Sequence, residues 1–256
     1  MSAKALYLFP CGELEVDKSV TTYRQDMGKI IRIPVIAALI KTDEGWVLFD
    51  TGLNPYGLED PIGTWGERAS KAVCSFRAED DIRNRLKELG LTPKDIKFVV
   101  NSHLHWDHTG GNQFFTKSTF IVQKAEFRYA YYPDTFAASA YLKNHFDHPL
   151  KYELIEGDYV LVPGISLVVT PGHTPGSQAM IVDLPKFGTV ILTADAIYSK
   201  ENVDKNIPAG NCVDPVQAML SMARLIHISR RENGKLFITH DPKAWADLKA
   251  SPYCYE

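Results

Sequence analysis

The sequence predicts an α/β fold, and three observations point there. Short β-branched and aliphatic runs such as Lys97-Phe98-Val99-Val100 and Val190-Ile191-Leu192 recur along the chain, separated by turn residues and helical patterns. Several of these runs stop at a histidine or an aspartate, which is how α/β proteins gather side chains at the carboxyl ends of strands. With 256 residues, 45% of them hydrophobic, the chain can bury a full core, and one domain over residues 1–256 is expected.

Residues 5–9 open the chain as an apolar run, and 33–40 and 46–49 form a hairpin about the break Thr42-Asp43-Glu44-Gly45. Asp50-Thr51-Gly52 ends it, with Asp50 expected to form a turn or support a neighbouring ligand. Residues 53–78 form a Gly/Pro-spaced loop carrying Tyr56, Trp65 and Phe76, suited to cover a site or to fold its aromatics onto the body. A helix follows over about 79–89, with Ile82, Leu86 and Leu89 on one face and Gly90 as its stop. Thr92-Pro93 then turns into the strand 97–100.

That strand delivers Ser102-His103-Leu104-His105-Trp106-Asp107-His108, three imidazoles and a carboxylate within six positions. Packing alone does not ask for so many titratable groups together, because each would need its own partner if buried. Metal binding does ask for them, since imidazole nitrogen and carboxylate oxygen suit zinc, iron, manganese or cobalt. His103 and His105, two apart in extended backbone, point the same way and can share one ion. Asp107 and His108 sit past a turn, which suggests a second ion.

Beyond the motif, 120–122 is a strand and 126–146 is helical in pattern and rich in aromatics, whose leftover exposed patch would suit a dimer face or an apolar substrate groove. His145 and His148, delivered by no strand, are expected at the surface. Strands at 166–169, 189–193 and 236–239 run into His173, Asp195 and His240. Between the last two lies a helix with Asp214 as N-cap, Pro215 in its first position and Gln217 completing a capping box. Val216, Met219, Leu220 and Ala223 form its expected buried stripe.

The charge balance, 28 Lys plus Arg against 31 Asp plus Glu, offers no basic field for nucleic acid and favours a neutral or small anionic substrate. Cys11, Cys74, Cys212 and Cys254 lie far apart and read as reduced thiols. No apolar stretch is long enough for a signal-peptide core or a membrane span, so the cytoplasm is the expected location.

His103-x-His105-x-Asp107-His108, followed by His173, Asp195 and His240, resembles the metallo-β-lactamase superfamily. The chain is most similar to its N-acyl homoserine lactone lactonases, through Phe49-Asp50-Thr51-Gly52, Gly110-Gly111-Asn112, Ile155-Glu156-Gly157-Asp158-Tyr159, Thr170-Pro171-Gly172-His173 and Asp195-Ala196-x-Tyr198. The resemblance implies an αββα sandwich and two divalent ions, zinc first among the candidates. His103, His105 and His173 would hold one ion, Asp107, His108 and His240 the other, and Asp195 would bridge them.

It further implies that a water shared by the ions opens a lactone ring. Tyr198 would bind the substrate and donate to the developing oxyanion, Asp107 would supply the final proton, and Trp106 would wall the pocket. A glyoxalase-II-like thioesterase, or a promiscuous lactonase or esterase, is the alternative, although the chain ends soon after His240 without a basic region to grip glutathione. The small-molecule lactone is the expected partner, with no nucleic acid, no membrane and a homodimer as an option.

Overall fold

The computed structural model describes residues 3–256. Strands β1 (Ala5–Asp17), β2 (Ile30–Thr42), β3 (Gly45–Phe49), β4 (Val73–Ser75), β5 (Ile96–Val100), β6 (Thr119–Gln123) and β7 (Lys151–Ile155) build one sheet in the order β4-β1-β2-β3-β5-β6-β7. Strands β8 (Tyr159–Val162), β9 (Ile165–Val169), β10 (Gln178–Leu184), β11 (Gly188–Leu192) and β12 (Lys235–Phe237) build the other in the order β12-β11-β10-β9-β8. The hairpin expected about residues 42–45 is β2 against β3, with Thr42 opposite Gly45.

Side-chain alternation along the strands sorts the core into layers. In β2, Ile36, Ala38 and Ile40 join Leu167, Met180, Val182 and Leu192 of the second sheet in the cluster between the sheets. Val35, Ala37 and Leu39 join Trp65, Ile82 and Leu86 under the helices outside the first sheet. The second sheet's outer face, with Val168, Ala179 and Ile191, is covered by Met222, Leu225 and Ile228 of the Pro215–Arg231 helix. The layering is the expected helix-sheet-sheet-helix sandwich, and β2 reads as a continuous apolar run because both its faces are buried.

Five expectations are corrected. Residues 53–78 are not an open loop: they hold a 3₁₀ turn (Pro55–Leu58), a helix (Pro61–Ala72) kinked at Gly66, and β4. Asp60 caps that helix from the Gly63 N–H and Pro61 sits in its first turn, a start signal hidden among residues that also make loops. The helical pattern of 126–146 breaks into Lys124–Tyr131, the 3₁₀ turn Ala138–Ala140 and the turn Lys143–Phe146.

His145 is buried, with Nε2 2.9 Å from the Thr64 carbonyl and Nδ1 3.2 Å from that of Trp106, and His148 is half-buried. Finally, the Pro215–Arg231 helix turns Val216 and Leu220 to solvent at 69% and 67% exposure and buries Ala218, Ser221, Met222, Leu225 and Ile228. The helix comes close to the His173 loop there, and a Cβ at Gly172 would lie 2.1 Å from the Ala218 nitrogen, so position 172 is held to glycine. Asp214 does cap the helix, accepting from the Val216 and Gln217 N–H groups, but no reciprocal bond from the Gln217 side chain forms among the described residues.

The short Lys18–Thr21 helix is tied to the Lys200–Lys205 helix by Glu201, which accepts from Lys18 and pairs with Lys205. Those bonds lower the Glu201 carboxyl to about 2. A depressed folded-state pKa gives stability that is present above the unfolded value, about 4.3, and lost as pH falls from there toward 2. Glu201→Gln should therefore lower Tm at pH 7, and the difference from the wild type should vanish near pH 2 in a thermal melt series.

Candidate metal centre

Strands β3 and β5 are parallel, as are β11 and β12, and β9 runs in the same direction as β11 through the antiparallel β10. Their carboxyl ends therefore open on one edge of the sandwich, where Asp50, the 103–108 segment, His173, Asp195 and His240 lie. The Trp106–Thr109 helical turn is the expected turn past His105 that carries Asp107 and His108.

The seven predicted donors converge. Ligand atoms of His103, His105 and His173 lie within 4.8 Å of one another, and so do those of Asp107, His108 and His240. Asp195 stands between the sets: Oδ2 is 3.2 Å from His173 Nε2 and 3.8 Å from His103 Nε2, while Oδ1 is 3.3 Å from His108 Nε2 and 3.2 Å from His240 Nε2.

In three of these rings, those of His103, His108 and His240, a hydrogen bond at Nδ1 turns Nε2 toward the cluster. His240 Nδ1 donates to the Pro34 carbonyl at 2.8 Å, and His108 Nδ1 donates to Asp50 Oδ2 at 2.8 Å. Ser102 Oγ donates to Asp50 Oδ2 and accepts from His103 Nδ1 at 3.0 Å. Asp50 thus supports its neighbours in the way expected of it. It does so with φ of 60°, a left-handed conformation that costs a non-glycine residue about 1–3 kcal/mol and persists where surrounding bonds over-determine it.

The donor set fits a pair of cations. His173 Nε2 lies 3.0 Å from His105 Nδ1 and 3.2 Å from His103 Nε2, so nitrogen lone pairs face one another in a buried space. Asp195 Oδ1 is buried without a hydrogen-bond donor. Burial, then the neighbouring histidines, lowers His103 and His105 well below the ordinary imidazole value, which keeps them neutral as ligands must be. Burial also opposes charge on His108 and His240, but nearby carboxylates, Asp195 in both cases, outweigh it and raise both. Burial would raise Asp195, yet His240, His108, His173 and His103 hold it well below the usual carboxylate range.

A cavity of about 440 Å³ opens onto this cluster, with His105, Asp107, His173, Trp106 and Tyr198 at its floor. Leu14, Val16, Ile33, Ala69, Phe136 and Val213 give it apolar lining, beside the polar Ser19, Arg68, Ser139 and Asn211. Tyr198, buried and stacked on His240 at 4.9 Å between ring centroids, donates its hydroxyl to Asp195 Oδ2 and accepts from Asn211 Nδ2 at 2.8 Å. Burial pushes its phenol well up, so it stays a donor.

Asn211, Tyr141 and Glu126 touch this machinery and are not signalled by the sequence. Tyr141 packs on the His105 ring at 4.7 Å, and Glu126 is wholly buried beneath the ligand loops. Tyr141 and Asn211 stand at no strand end, and Glu126, although three residues past β6, is carried in the first turn of a helix.

Residues 32–240 match the family model of the Metallo-beta-lactamase superfamily. The chain is 37% identical over 246 residues to the N-acyl homoserine lactonase AiiA of Bacillus thuringiensis subsp. kurstaki, covering 94% of each protein. It is 34% identical to the N-acyl homoserine lactonase AttM of Rhizobium radiobacter, covering 98% of each. A solved N-acyl homoserine lactone hydrolase, with the product N-hexanoyl-L-homoserine bound at its catalytic metal center, superposes over all of both chains with a TM-score of 0.91 at 34% identity. The family and the donor set together imply a dinuclear metal centre.

Proposed function

Because the chain belongs to the metallo-beta-lactamase superfamily, we propose that it is a dinuclear-metal hydrolase that opens the lactone ring of N-acyl homoserine lactones and so quenches quorum signals. The observation that carries this reading is the Asp195 carboxylate, with one oxygen facing each three-donor set beneath a cavity of mixed apolar and polar lining. Zinc in both positions, one hydrolase domain over residues 1–256 and a cytoplasmic location complete the proposal. No helix among the described residues is long and apolar enough to cross a membrane.

In this reading His103, His105 and His173 would hold one ion and Asp107, His108 and His240 the other, with Asp195 placed to serve both. Bound there, two divalent cations supply Lewis acidity toward a carbonyl and a water made nucleophilic near neutral pH. The chain's own residues do the rest. The apolar wall receives the acyl chain, and Trp106, 9% exposed at the cavity floor, excludes bulk water from the ring. Tyr198 turns its hydroxyl to the carbonyl oxygen as charge develops there. As a water adds to the carbonyl carbon, Asp107 takes one of its protons and hands it to the ring oxygen as the ring carbon–oxygen bond breaks; the acid so formed loses its remaining proton to solvent, leaving a carboxylate and a free hydroxyl.

Tyr198→Phe should lower kcat by about a hundredfold, the scale of one oxyanion donor, with KM little changed and both ions retained. Unchanged kcat in steady-state lactone hydrolysis would remove Tyr198 from the reaction. The reading as a whole is tested by relative turnover per bound metal on acyl homoserine lactones of varied length, simple lactones, S-lactoylglutathione and a β-lactam. Acyl homoserine lactones are expected fastest, and a thioester that outpaces them would overturn it.

A further inference from the structure

Glu126, in the first turn of the Lys124–Tyr131 helix, is 0% exposed and forms no ion pair among the described residues. Burying a carboxylate with no cationic side chain beside it costs several kcal/mol unless hydrogen-bond donors converge on it. Three do. Oε1 accepts from the Leu104 N–H at 3.0 Å and from the Tyr141 hydroxyl at 3.1 Å, and Oε2 accepts from the Gly176 N–H at 3.2 Å.

Those donors share one property. Leu104 lies between His103 and His105, Gly176 lies three residues past His173, and Tyr141 packs its ring on His105 at 4.7 Å. One carboxylate therefore joins every histidine-bearing segment of one donor set across the two halves of the sandwich. His108 and His240 of the other set are oriented instead by Asp50 and by the Pro34 carbonyl. The docking is close: a Cβ at Gly176 would lie 2.2 Å from the Glu126 nitrogen.

We propose that Glu126 is the positioning residue of the His103/His105/His173 set, locking its two loops in register and thereby fixing the affinity for the ion held there. The inference rests on the two-ion reading above. An amide at 126 keeps the shape but faces either the Leu104 or the Gly176 N–H with its own NH₂, donor against donor, which releases one loop.

The test is zinc retention against a graded chelator, with folding checked by circular dichroism. Wild type should hold two zinc ions per chain. Glu126→Gln should give up one of them at about 10- to 100-fold lower chelator concentration, the usual effect of losing a group that orients ligands, and keep the other as the wild type does. Tyr141→Phe should shift the same step by less. In a His240→Ala background, where the retained ion must sit on the three-histidine set, Glu126→Gln should weaken it; in a His105→Ala background it should change nothing.

Two ions in the wild type, with both or neither weakened in a folded Glu126→Gln, would overturn this inference alone. Fewer than two in the wild type would overturn the two-ion reading and this inference with it. Should Glu126→Gln not fold, Tyr141→Phe decides: a shift confined to one ion supports the assignment, and no shift rejects it.

Discussion

Asp107→Asn is expected to lower kcat by about 10²–10⁴-fold, the range spanned by a general acid, while the protein still takes up metal when metal is supplied in excess. The amide keeps an oxygen for the donor set shared with His108 and His240, whose Nε2 atoms lie 3.5 Å and 3.9 Å from the Asp107 carboxylate. It has no proton to give. The carboxylate lines the cavity and retains 12% of its side-chain exposure, so a departing ring oxygen can reach it. Kinetics read beside the metal-to-protein ratio separate the two roles: near wild-type kcat refutes proton donation, whereas a drop that tracks lost metal assigns Asp107 to binding alone.

Metal removal should have the largest effect of all. Six buried or nearly buried imidazole and carboxylate neighbours surround Asp195, several with lone pairs facing lone pairs at 3.0–3.4 Å. Chelation should abolish ring opening and lower Tm by on the order of 10 °C. Ligand present at a thousandfold its Kd adds about 4 kcal/mol, and each kcal/mol is about 2–4 °C for a domain of this size. Restoring zinc should return both. Undiminished hydrolysis by a chelator-treated sample, verified metal-free by elemental analysis, would refute metal dependence.

The donor set was legible in the sequence because its members either crowd into 103–108 or stand at the ends of apolar runs, and both patterns survive without knowledge of the fold. Asp50 was legible in kind, its strand-end position pointing to a turn or to support of a neighbouring ligand, though not to His108 as the residue it holds. Elements whose signals conflict were misread. Pro61 and Asp60 serve helix starts and loops alike, so the Pro61–Ala72 helix was hidden. The buried stripe of Pro215–Arg231 was drawn toward its larger aliphatics, while the face that packs runs through Ala218, Met222, Leu225 and Ile228. Glu126 and His145 were missed or misplaced because a buried polar residue looks like an exposed one until its partners, distant in sequence, are known.

Apart from Trp106, the apolar lining of the cavity comes from stretches that supply none of the proposed ligands: Leu14 and Val16 of β1, Ile33 of β2, Ala69 of the kinked helix, Phe136 and Ala137 before a 3₁₀ turn, and Val213 ahead of the long helix. Reactivity and choice of guest are thus encoded in separate text. Randomising those wall positions can retune which acyl tails are admitted without disturbing the ions, and natural divergence has the same freedom.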